Sequence, residues 1–120
     1  MPEKKEEYKL EEESLNSARN LKEVGVNNKL IARFVHKQFG HTYIAVALNH
    51  AGFNERQILS AVNQKKLNLT NEQKRDSLNY LQIDLAMHGK FIPKGIPLKK
   101  IGKEIKRLEG LGKNRLEVLP

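Results

Sequence analysis

The side chains best placed to do chemistry in this chain are cations. Lys99, Lys103, Lys106 and Arg107 recur at intervals that return them to one side of a helix, while Leu98, Ile101, Ile105 and Leu108 keep to the other. Lys94, Lys100, Lys113 and Arg115 extend the basic set in both directions, and Arg56 adds an arginine from the middle of the chain. Groups of this kind contact phosphate oxygens, and their hold weakens as salt rises because binding releases counterions. The plainer reading is an ordinary solvated helix face packed by its apolar stripe. A membrane surface fits less well, since the apolar side is short and carries no tryptophan.

Catalysis finds little support. There is no cysteine, which removes disulfides, thiolate nucleophiles and thiolate zinc sites together. The four histidines, His36, His41, His50 and His88, lack the spacing of a metal site, so no metal and no cofactor is expected. Ser14, Ser17, Thr42, Ser60, Thr70 and Ser77 all stand in helical or capping contexts rather than beside a base. Gly110 and Gly112 do not form a phosphate loop, because no strand precedes them. A non-enzymatic protein is expected.

Short helices must position these residues. A charged helix from about Glu3 to Val24 places Leu15, Ala18 and Leu21 on one face before Gly25. Asn27 or Asn28 caps a second helix with Leu30, Ile31, Phe34, Val35 and Phe39 facing the core, ended by Gly40. Thr42 is the expected cap of a third, Tyr43 to Ala51, which is apolar nearly all round and so belongs at the centre. After Gly52, Asn54 caps a fourth helix with Ile58, Leu59 and Val62 buried. Thr70 and Gln73 have capping-box spacing for a fifth, which runs to about His88 through Leu78, Leu81 and Leu85, with Tyr80, Ile83 and Met87 broadening its apolar side. Pro97 suits the first position of a sixth helix with Leu98, Ile101, Ile105 and Leu108 as its stripe, and the residues beyond Gly110 and Gly112 show no strong period that assigns them an element. No segment alternates with period two, so the fold class is all-α, a compact bundle of about six short helices.

At 120 residues with 38% apolar side chains, one domain can bury roughly two thirds of its unfolded surface. Three segments are distinguished within it: a charged N-terminal helix (1–24), a helical core (25–89) and a basic C-terminal helix with its tail (90–120). The net charge of +8 is uneven: the first segment has two more acids than bases, the second four more bases than acids, and the third six more. Such asymmetry points to a polyanion, with DNA first. No apolar run approaches the roughly 20 residues that cross a bilayer, and the N-terminus lacks a signal-peptide core, so a cytoplasmic protein without a membrane partner is expected.

One spaced set carries more than composition. Gly40, Ile44, Leu48, Gly52 and Ile58 describe three short helices hinged at two glycines. Together with Lys29-Leu30-Ile31-Ala32-Arg33-Phe34-Val35, Gly52-Phe53 and Ile58 through Val62, this set resembles a three-helix module of the RecX family of recombination regulators. The preceding Leu21 to Asn28 is similar to that family's junction between modules, and the resemblance covers about residues 15–64. Asn27-Asn28 stands where the family has an acidic pair, and the apolar Ala45-Val46-Ala47 where it has an Arg-rich helix. The resemblance implies a regulator that lodges on a RecA-type recombinase filament, on DNA, or on both. Two other classes remain open from the residues alone. One is a helical protein-interaction adaptor or secreted factor whose basic end serves solubility. The other is a helix-turn-helix transcription factor, with Arg56 and Gln57 as base readers on the helix Glu55 to Val62. Phe34, Phe39 and Phe53 read as core residues, and Tyr8, Tyr43 and Phe91 as freer rings for stacking on a base.

Overall fold

Among the described residues of the computed structural model six helices follow one another: α1 (Pro2–Glu23), α2 (Asn28–Phe39), α3 (Ile44–His50), α4 (Glu55–Val62), α5 (Asn71–Met87) and α6 (Lys99–Val118). One-turn 3₁₀ segments at His41–Tyr43 and Lys65–Leu67 precede α3 and α5. The structure describes residues 2–87 and 99–118, and side-chain surroundings for 9–87 and 99–111. Among the described residues there is no strand, as the lack of period-two alternation requires.

The boundaries follow from capping chemistry. Asn27 sits in extended backbone and its side chain accepts from the Leu30 amide at 2.9 Å, which starts α2. Asn54 and Gln57 exchange side-chain and backbone hydrogen bonds at 2.9 and 3.0 Å, and Thr70 and Gln73 do the same ahead of α5. At the other end of α3, Gly52 takes a φ of +99°, where a side chain would be strained. That conformation lets the amide of Phe53 reach the Leu48 carbonyl and the amide of Gly52 reach that of Asn49, closing the helix.

The centre of the molecule is α3. Ile44, Ala45, Val46, Ala47 and Leu48 have no exposed surface, because α1, α2, α4 and α5 all pack on this one helix. Ala18 of α1, Ile31 and Val35 of α2, Ile58 and Val62 of α4, and Leu78 and Leu81 of α5 complete the same core. The apolar stripe of α6, Ile101, Ile105 and Leu108, is buried against α5 and α4.

Several expectations are corrected. Thr42 does not cap α3, since it lies inside the 3₁₀ segment. The buried amide of Ala45 is instead satisfied by the Ser77 hydroxyl of α5 at 3.1 Å, a partner that no local pattern announces. The residues beyond Gly110 and Gly112, to which no period assigned an element, continue α6 to Val118. Ile83 and Met87 do not broaden the buried side of α5; they are 57% and 75% exposed. Phe34 is not a core residue, being 39% exposed. The polar stretch after α4 leads into an apolar anchor, with Leu67 and Leu69 both buried. His88, Phe91, Lys94, Pro97 and Leu98 lie outside the described residues, as does the side chain of Tyr8.

Candidate nucleic-acid interface

The basic face is built by α6. With 100° between successive residues, Lys99, Lys100, Lys103, Lys106 and Arg107 fall within an arc of about 120°, opposite Ile101, Ile105 and Leu108. All five cations are exposed, while the three apolar residues anchor the helix to α5 and α4. Among the described residues, no ion pair engages Lys99, Lys100, Lys103 or Lys106, so these ammonium groups stand in water. Lys113 and Arg115 belong to the same helix, with side chains outside the described set. Arg56 is exposed on α4, which packs on α6.

Arg107 is already engaged. Its Nε and Nη2 donate to the two carboxylate oxygens of Glu104, both at 2.7 Å, and Glu104 also accepts from Asn63 Nδ2 at 2.9 Å. The hydrogen bond from Arg107 holds the Glu104 carboxyl below its usual range, against the opposing effect of burial, with Asn63 assisting. The same bond pushes the guanidinium of Arg107 up. Gln57 is likewise committed, because its side-chain oxygen completes the cap of α4, leaving Arg56 as the readier donor on that helix.

A second basic surface escaped the sequence reading. A groove of about 350 Å³ opens between α2 and the 3₁₀ segment at Lys65–Leu67. Its apolar lining is Leu30, Phe34 and Leu67; Arg33, His36, Lys37 and Lys66 supply its polar lining, and no carboxylate contributes. The available signal was the spacing of Lys29, Arg33 and Lys37, one cation every turn of α2. The Phe34 ring is held edge-on by Phe39, with centroids 6.4 Å apart and planes at 66°. Hydrogen bonds tie this groove towards α6: Gln64, next to the Asn63 that binds Glu104, donates from Nε2 to the carbonyls of Lys29 and Ala61 at 3.0 and 2.9 Å.

Several other polar side chains link one element to another. His50 meets the buried Asp84 at 3.1 Å, and His41 lies 3.8 Å from Asp76. Tyr80 donates to Glu11 at 2.8 Å, joining α5 to α1, and packs edge-on against Tyr43 at 5.6 Å, so Tyr43 is not a free stacking ring. Burial, reinforced by that bond to Glu11, raises the Tyr80 hydroxyl far above its usual pKa. Among the described residues, no group of three or more histidine and acidic side chains is placed to hold a metal, and no helix is long and apolar enough to cross a membrane. Compared with the models of known protein families, with curated proteins and with solved structures, the chain matches none.

Proposed function

We propose that this protein is a non-enzymatic regulator that binds nucleic acid, DNA first, through the basic face of α6. The observation that carries the reading is the stripe of Lys99, Lys100, Lys103 and Lys106, four solvated ammonium groups on a helix whose opposite side is fixed in the core. Helix position sets their spacing in advance, so phosphate contacts cost little ordering of the backbone. The resemblance to RecX proteins adds a recombinase filament as the assembly on which the bound protein acts.

Titration of fluorescently labelled DNA across a salt series tests this. Four lysines on four phosphates give a slope of about −3.6 in log affinity against log salt, so affinity falls roughly a hundredfold between about 50 and 200 mM. Reversing charge at Lys99, Lys103 and Lys106 to Glu should abolish most of that binding while leaving the fold intact, because all three side chains are exposed. No binding at low salt removes the proposal and favours an interaction adaptor. A strong preference for one duplex sequence favours a helix-turn-helix reader.

A further inference from the structure

We propose that the groove between α2 and the 3₁₀ segment at Lys65–Leu67 takes one unstacked base of a single-stranded nucleic acid, against the face of Phe34, with its flanking phosphates on Arg33, Lys37 and Lys66. The proposal rests on the nucleic-acid reading above and assigns it a second, strand-selective contact.

Burial sets Phe34 apart. Among the described aromatic residues Phe34 alone is exposed, at 39%, beside Leu30 at 48%. Phe39 packs against the ring with the two planes at 66°, a contact that narrows the range over which Phe34 can turn. Lys37, three positions after Phe34, shares its side of α2, and Arg33, one turn before Lys37, lines the same groove. Lys66 faces them from across the groove, so the rim is cationic on two sides with no carboxylate among the lining residues. An apolar plane bordered by positive charge complements a nucleotide, whose base is flat and whose phosphates are anionic.

Dimensions favour a base over a peptide helix. From Leu30 to Phe34 the apolar floor spans one turn, about 6 Å, whereas a docked amphipathic helix presents anchors from i to i+7 over roughly 10 Å. The volume of about 350 Å³ sits at the lower end of the range for small-molecule sites. Continuity with α6 supplies the rest. Glu104 of α6 binds Asn63, and Lys66 lies three residues further on, at most about 11 Å of extended chain.

Fluorescence anisotropy with three labelled probes tests the proposal: a deoxythymidylate oligomer of about 20 nucleotides, its abasic counterpart, and a duplex of the same length. Wild-type protein should bind the thymidylate strand more tightly than either other probe. Phe34→Ala should weaken thymidylate binding by about fivefold or more, to the level of the abasic strand, and leave duplex binding unchanged. Phe34→Leu keeps apolar volume but removes the π-face and should lose the same preference, which guards against a simple folding defect in the alanine variant. Lys66→Glu should weaken both single strands alike. Equal wild-type binding to the thymidylate and abasic strands, or thymidylate binding untouched in both Phe34 variants, overturns the groove proposal while leaving the α6 reading standing. Failure of wild-type protein to bind any probe at low salt overturns both.

Discussion

Glu104 neutralises part of the basic surface of α6. It spends its two oxygens on Arg107 and Asn63, so Arg107 meets an anion only by giving up a bidentate partner. Glu104→Gln should therefore release one cation, tighten DNA binding, and steepen the salt slope by about 0.9. The same change should lower thermal stability modestly, because the exposed guanidinium makes this a weak ion pair. The pH dependence has a definite sign. The folded-state pKa of Glu104 lies below the ordinary glutamate value, so the carboxylate stabilises the fold above that value and its contribution disappears as pH falls through the folded one. Thermal melts of wild type and Glu104→Gln should accordingly converge as the solution becomes acidic. Residue types alone revealed the lysines of α6, because a basic stripe opposite an apolar one is a local pattern. They did not reveal the pairing of Glu104 with Asn63, which joins residues 41 apart, nor the outward turn of Phe34, which on period alone shares the side of Ile31 and Val35.

Helix ends divide the glycines into two kinds. Gly52 takes a positive φ, and a Cβ there would also come within 2.9 Å of Lys22 Nζ, the ammonium that sits 5.0 Å from the centre of the Phe53 ring. Gly110 lies inside α6 with open space where a Cβ would go. Replacement by alanine should thus have opposite signs in the two places. Gly52→Ala should destabilise by about 1–2 kcal/mol through the left-handed backbone, and Gly110→Ala should stabilise by about 0.5–1 kcal/mol by favouring helix. Chemical denaturation of the two variants reads both effects, and equal signs would contradict the assigned ends. Caps at Asn27, Asn54 and Thr70 were legible in the sequence because each acts within three residues. The end of α6 was not, since a glycine permits a stop without imposing one. Thr42 misled for a related reason: a capping residue type was present, but the helix behind it found its acceptor on another element.

Across the whole molecule, charge is arranged by segment. Acids predominate in the first 24 residues and bases in the last 31, while the helices between them form the common core. A regulator of a recombinase filament would use this arrangement to lie on a polyanion with one end while presenting its remaining surface to protein. Addition of the protein to a RecA-type recombinase on single-stranded DNA should change the steady-state ATPase rate, and the variant with Glu at positions 99, 103 and 106 should not. An unchanged rate with wild-type protein would set the recombinase aside without touching the DNA titration. The all-helical class and the central place of the third helix were readable from periodicity, because an element apolar on every side has nowhere else to go. The strand-accommodating groove was not, because it is made by a helix and a turn brought together only by folding.

The hydroxyl of Ser77, accepting from the amide of Ala45, also ties the third helix to one that comes later in the chain. A chain that held only the first four helices would lack the serine that completes the third, and would carry an unquenched donor and an uncovered flank at its heart. The glycine-hinged trio thus depends on the fifth helix to satisfy and cover its centre, and a chain cut ahead of that helix should be cleaved faster by protease than the full chain.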